Sequence, residues 1–306
     1  MSAVDNRVYA QLSDLVSLQH QARGFSFLPR QPLHSILSGR HNSRLRGRGL
    51  NFEELRHYRT GDDIRTLDWK VTHRTRKPHV RVYTEERERS VIMLVDQRHA
   101  MFFGTREKMK SVVAAELAAL TAWSTLAVGD RIGAIVFNDS RIVEIKPQRS
   151  RRTLLRILDQ VLQFNAALGR DLRAEQNYAQ LDAALKVAER LVGHDNLLTL
   201  ISDLSGWDEG TVRSIKRIAR HSDVISSLIY DPMESELPQA QPWVVSDGDL
   251  QIQVWPGEQL RDQFSASFRG RTDYLQSELS KHKVPVIPLD TVEPVQHQLR
   301  RLLGMG

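Results

Sequence analysis

The 306 residues are 41% hydrophobic and 26% charged, enough apolar side chain for a packed core in one large domain with a small appendage. The chain has no cysteine, which excludes disulfides, thiolate zinc sites and cysteine nucleophiles and fits a reducing compartment. The formal net charge is +6, and residues 23–90 hold 16 Arg and Lys against 8 Asp and Glu, so the basic excess sits in one segment that suits nucleic acid, an acidic membrane surface or an acidic protein.

The first residues lack the apolar core of a signal peptide. Instead Val8, Leu12, Leu15 and Leu18 are spaced for an amphipathic helix over residues 4–21. No run reaches the roughly 20 apolar residues that cross a bilayer, so the expected location is cytoplasmic, with membrane contact only through partners. Two prolines in residues 25–32 end the helical pattern. Residues 33–84 are rich in arginine, histidine and glycine, with isolated aromatics, and read as a small irregular module. It has short extended pieces around Val71 and over residues 80–83, and a loop at Arg46-Gly47-Arg48-Gly49. That loop is no Walker motif.

Regular patterning begins near Ser90. Val91-Ile92-Met93-Leu94-Val95 suits a strand buried on both faces, ending at Asp96. A long helix is expected over 107–127, then strands over 132–137 and 141–145. Helices over 152–164 and 181–192 follow, then a strand over 197–201 ending at Ser202-Asp203. A helix over 209–220 and a strand over 224–230 complete the alternation. Residues 243–245 and 250–255, split by Asp247-Gly248, read as a β-hairpin inserted within 240–257. A helix over 258–282, a strand over 284–289 and a short terminal helix close the chain. Strands alternating with helices predict an α/β fold with a doubly wound, mostly parallel sheet. The expected division is a helix and basic module at 1–89 and the α/β domain at 90–306. Trp123, Trp207, Trp243 and Trp255 read as core or hairpin-packing residues.

In open α/β sheets ligands bind beyond the carboxyl ends of the strands, where strand order switches. Asp96 and Asp203 end two predicted strands. If those strands are neighbours, the carboxylates converge, and such a pair suits a hard divalent cation such as magnesium. The first strand and the helix after it resemble the start of a von Willebrand factor A domain. The resemblance implies a metal bound by Asp-x-Ser-x-Ser, by a later Thr and by an Asp after the fourth strand. Here the motif reads Asp96-Gln97-Arg98-His99-Ala100, and the loop due to present the Thr reads Asn177-Tyr178-Ala179-Gln180-Leu181. Asp96 and Asp203 are retained; the hydroxyl ligands are lost. Two carboxylates and water make a poor octahedral cage. The expectation is therefore a metal-free site with no cofactor, in which Arg98 pairs with Asp96 or Asp203. Two alternatives stand beside it. In one a divalent ion binds, helped by a distant residue such as Asp130 or Asp139. In the other Arg98 faces solvent and the carboxylates only cap helices.

A second resemblance rests on more residues. Gly49-Leu50-Asn51-Phe52-Glu53, Arg56-His57-Tyr58-Arg59, Gly61-Asp62-Asp63-Ile64-Arg65 and Asp68-Trp69 are similar to the signature of the bacterial family called domain of unknown function 58. Arg81-Val82-Tyr83-Thr84-Glu85 and Asp231-Pro232-Met233-Glu234 fit the same pattern. The resemblance implies a von Willebrand factor A-like fold after the signature. It also implies partnership with a MoxR-type AAA+ ATPase, and with other von Willebrand factor A proteins, in complex maturation or stress response. Within the signature, Gly61-Asp62-Asp63 reads as a turn, and Arg56, Arg59 and Arg65 face Asp62, Asp63 and Asp68 as an internal ion-pair network. The other reading is a docking surface, since Arg and aromatics such as Tyr58 and Trp69 are enriched in binding hot spots.

The expected function is thus a non-enzymatic protein-interaction module. Two rivals remain. A nucleic-acid-binding protein would use the basic segment, which lacks a recognisable reading motif. A metal-dependent hydrolase at Asp96 and Asp203 needs a nucleophile or activated water and more ligands than the sequence offers. His99 beside Asp96 suggests a general base, but no serine or cysteine nucleophile stands at a motif position.

Overall fold

A computed structural model of the chain describes residues 5–22, 50–59, 62–85, 89–169, 176–237, 243–246, 251–254 and 257–302. The chain divides into two compact units, Ser38–Glu88 and Met1–Leu37 with Arg89–Gly306. The first helix therefore belongs with the α/β unit and not, as expected, with the basic module.

In the small unit, β1 (Leu50–His57) pairs antiparallel with β2 (His79–Glu85), with a register shift between Phe52 and Glu54. A 3-10 turn (Ile64–Thr66) and helix α1 (Trp69–Thr75) lie between them. The extended piece expected around Val71 is a helix. Its cause is Asp68, whose side chain accepts from the amides of Lys70 and Val71, each at 3.0 Å, and so starts a turn that local propensity alone does not start. Leu67 bridges Val80, which is buried.

In the larger unit the sheet order is β10-β7-β6-β3-β4-β5. The strands are β3 (Ser90–Asp96), β4 (Arg131–Phe137), β5 (Ile142–Gln148), β6 (Leu197–Ser202), β7 (Asp223–Tyr230) and β10 (Val286–Asp290). All neighbours are parallel except β4 and β5. The β3 run reads as apolar throughout because both faces are covered. Val91, Met93 and Val95 enter one core, and Ile92 and Leu94 enter the other. The antiparallel edge strand β5 passes Gly133 so closely that a Cβ there would lie 2.8 Å from the Ile145 carbonyl oxygen.

Helix α2 (Lys110–Ala127) is buried on nearly all sides. Its alanines let it sit between the sheet and a further layer of helices, which includes α3 (Arg151–Ala166). The helix expected over residues 4–21 is shortened to Leu12–Ser17. Ahead of it the chain is a turn, in which the amides of Val8 and Tyr9 donate to the Asp5 carbonyl. It is tied down by the Ala10 amide, which donates to Asn165 Oδ1 at 2.8 Å, and by the Tyr9 hydroxyl, which donates to the Leu168 carbonyl at 2.9 Å. Trp123 of α2 donates to the Leu15 carbonyl at 3.0 Å, and so it is the core residue expected.

On the other face lie α4 (Ala179–Leu191), α5 (Glu209–Ala219) and the last turns of α7 (Glu258–Ser280), anchored by Leu275 and Leu279. A short α6 (Pro232–Ser235) follows β7. The expected hairpin is present as β8 (Trp243–Ser246) and β9 (Gln251–Val254). A last helix, α8 (Val295–Leu302), follows β10. Among the described residues no helix is long and apolar enough to cross a membrane.

Candidate functional site

β3 runs between β4 on one side and β6 on the other, so the chain reverses its direction of travel across the sheet at the β3–β6 boundary. That is the switch point, and Asp96 ends β3 beside Ser202, the last residue of β6, and Asp203 just after it. The convergence expected of the two carboxylates is present.

Asp96 is fully buried, and Arg98 is 1% exposed. Asp96 Oδ1 accepts from the Arg98 amide at 2.9 Å and from its Nε at 3.0 Å. Asp96 Oδ2 accepts from Arg98 Nη2 at 2.6 Å and from the Ser202 hydroxyl at 2.7 Å. Arg98 Nη2 also donates to the Ser205 carbonyl at 2.9 Å and lies 3.9 Å from Asp203. Its guanidinium carbon sits 5.4 Å from the centre of the Phe137 ring. The expected ion pair is therefore present, with Asp96 as the main partner.

The sequence reading missed a second cation. Lys110 is 2% exposed, and its Nζ donates to Asp203 Oδ2 at 2.9 Å and to Glu234 Oε1 at 2.7 Å. Asp203 also accepts from the Ser205 amide at 2.9 Å and the Ser205 hydroxyl at 2.8 Å. Burial raises the Asp203 pKa, but Lys110 and the Ser205 amide outweigh it, and the carboxyl is held below its ordinary range. Burial likewise opposes the charge on Lys110, yet its two carboxylates raise it above the usual lysine value. A signal for Lys110 was available in its position. A lysine at the first turn of a helix, with no acidic residue there, opposes the helix dipole unless carboxylates face it. The expected helix start at residue 107 hid this, because it placed Lys110 inside the helix.

Glu234 closes the cluster from α6. Its Oε2 accepts from the Asp231 amide at 2.8 Å, completing a capping box. Asp231 in turn accepts from the Thr105 amide at 2.9 Å and the Thr291 hydroxyl at 2.6 Å. Asp139 lies on the β4–β5 loop, where its carboxylate accepts from the amides of His99 at 2.6 Å and Asn177 at 2.9 Å. Asp130 is at the opposite end of the sheet, bonded to the Arg89 amide. It is not part of the site.

The turn after β6 carries backbone strain. Leu204 has φ 57° and Gly206 φ 83°. The first is a left-handed conformation that costs a branched residue about 1–2 kcal/mol, held here because the Leu204 side chain is buried and its amide donates to Ser202 Oγ at 2.9 Å. A Cβ on Gly206 would lie 2.7 Å from Tyr178 Cβ. Gly206→Ala is therefore expected to cost at least about 1 kcal/mol. Urea denaturation checks this, and a variant as stable as the parent would show that the turn relaxes.

The residues do not fit a divalent cation. Arg98 and Ser202 engage Asp96, and Lys110 and Ser205 engage Asp203. Among the described residues no three His, Asp or Glu side chains are grouped as a metal cage. His99 does not serve Asp96; its amide goes to Asp139.

The signature module shows a partly different network from the one expected. Arg56 makes a two-pronged pair with Asp62, both bonds 2.8 Å, and the Arg59 amide donates to the same carboxylate at 2.7 Å. Asp63 accepts from the Arg65 amide at 3.0 Å, while Asp68 pairs with Arg81 at 2.8 Å rather than with Arg56, Arg59 or Arg65. Gly61 lies outside the described residues, as do Arg46-Gly47-Arg48-Gly49 and Trp255. Tyr58 is half-buried and Trp69 is exposed.

The guanidinium of Arg56 and the Arg59 amide lower the Asp62 pKa to about 2. A depressed folded value contributes stability that is present above the unfolded carboxylate range and lost as pH falls towards 2. An NMR titration is expected to find the Asp62 midpoint there, and Arg56→Ala to return it towards 3.8. An unchanged midpoint in the variant would show that Arg56 is not the cause.

The family described as "Protein of unknown function DUF58" matches residues 54–273. "Uncharacterized protein Mb1516" of Mycobacterium bovis is 30% identical over 246 residues, covering 77% of this chain and 73% of that protein. Two solved structures are similar in shape at low identity. The conserved hypothetical protein BatB from Bacteroides thetaiotaomicron is 15% identical with a TM-score of 0.40, over 71% of this chain and 98% of that one. The SpRpn10 VWA domain is 11% identical with a TM-score of 0.36, over 72% and 98%. On the span of the family match and the mycobacterial relative, this chain belongs to the DUF58 family.

Proposed function

We propose that the chain is a non-enzymatic, cytoplasmic protein-interaction module that acts as partner or adaptor of a MoxR-type AAA+ ATPase. One observation carries this reading. The carboxylates at the switch point, where this fold class ordinarily takes a ligand, are each answered from within by a buried cation. Arg98 and Lys110 supply the positive charge that a bound metal would supply, so the site holds its shape with no cofactor. Binding then falls to the surface. Family membership supports the ATPase as partner through the resemblance that first suggested it.

The test is co-purification of the tagged full chain with a purified MoxR-type ATPase from the same genome, with and without magnesium. Binding indifferent to magnesium is the expected result. Failure to bind the ATPase, with capture of nucleic acid that washes off in moderate salt, would replace this reading with the basic segment as a nucleic-acid interface.

A further inference from the structure

We propose that the corner of the signature module built from Ile64–Thr66 and the start of α1 docks an acidic, apolar segment of a partner protein. The proposal rests on the interaction-module reading above and assigns it a surface.

Trp69 is 69% exposed and Ile64 is 64% exposed. Neither is needed inside the module. Leu67 and Val80 supply its bridge, and Asp68, not Trp69, starts the helix. Two large apolar side chains five positions apart in this short stretch thus stand exposed. The aspartates of this corner are already engaged. Asp62 holds Arg56, Asp68 holds Arg81 and the helix amides, and Asp63 holds the Arg65 amide. The surrounding Arg65, Lys70, Arg74, Arg76 and Lys77 are exposed. An apolar centre with a cationic rim is complementary to a surface with an apolar centre and carboxylates around it.

Ile64 decides between a protein and a nucleic acid. Single-stranded nucleic acid is held by bases stacking on aromatic faces, and a branched aliphatic offers none. Trp and Arg at the centre of a protein interface are the types that carry most of its affinity.

The experiment titrates the full chain with three probes: the purified MoxR-type ATPase, a synthetic amphipathic helix of leucine and glutamate, and a single-stranded DNA oligonucleotide. The variants are Trp69→Ala and Ile64→Ser, both exposed positions, with Tyr274→Ala as an exposed aromatic of the other unit. Circular dichroism confirms that each folds. Each module variant is expected to weaken ATPase binding at least tenfold, and the control to leave it unchanged. ATPase binding that both module variants leave intact overturns this surface while the adaptor reading stands. If the wild type does not bind the ATPase, the adaptor reading fails and the leucine–glutamate helix decides. Binding lost in Trp69→Ala and Ile64→Ser supports the surface; no binding, or insensitive binding, overturns it. Single-stranded DNA bound tighter than either protein probe, and indifferent to Ile64→Ser, also overturns it.

Discussion

Arg98→Met should destabilise the chain by about 3–5 kcal/mol, because it leaves Asp96 buried with no opposing charge. Asp96 is fully buried, and three of its contacts within 3.0 Å come from the Arg98 amide, Nε and Nη2. Methionine fills much of the same volume, so the loss isolates charge from packing. The double variant Arg98→Met/Asp96→Asn should recover a large part of the loss, since no ion is then stranded. Urea denaturation of the parent, of Arg98→Met, of Asp96→Asn and of the double variant gives the coupling. An Arg98→Met variant within about 1 kcal/mol of the parent would mean that water or another donor reaches Asp96, and that Arg98 is not what answers its charge.

Lys110→Met tests the second tethered cation, with an expected cost of about 3 kcal/mol. Glu234 is partly exposed and regains water, so the loss falls mainly on Asp203. The pH dependence carries the sharper test. In the parent, Lys110 and Ser205 hold the Asp203 pKa low. Its stabilisation is therefore present above the ordinary carboxylate range and is lost as pH falls through the depressed value. Without Lys110, burial prevails and Asp203 takes a proton more readily. The stability gap between parent and variant should thus narrow between neutral pH and about pH 4. A gap that stays constant over that range would show that Lys110 contributes through its aliphatic stem alone.

These two variants bear on function as well as stability. If the crevice needs only internal charge, restoring it by other means should restore the fold without restoring any ligand. Arg98→Lys is informative here. Lysine keeps the charge but loses the fork that bonds Asp96 and the Ser205 carbonyl together.

Much of the α/β unit was legible from pattern alone. The run Val91-Ile92-Met93-Leu94-Val95 announces a strand covered on both faces, and Asp96 and Asp203 announce strand ends. The hairpin was legible from Asp247-Gly248 between two short apolar runs. Arg98 as the partner of Asp96 was legible because the two are two positions apart in the motif, and proximity in sequence is proximity in space for a turn. What the residues could not reveal one by one was long-range. Lys110 and Asp203 are 93 positions apart, and Glu234 is 124 positions from Lys110. Their meeting depends on the sheet order that brings β6 beside β3 and on the capping box that turns Glu234 inward. The first helix was misassigned to the basic module for the same reason. Its apolar face needs a surface, and only the folded chain shows that α2 is that surface. Helix α1 at Trp69 was missed because a cap, Asp68, and not a periodic apolar stripe, creates it. Periodicity, strand ends and neighbouring charges are local properties of the sequence. Which carboxylate meets which cation is decided by strand order, because burial makes an unpaired charge too costly and leaves only the arrangements in which every one is answered.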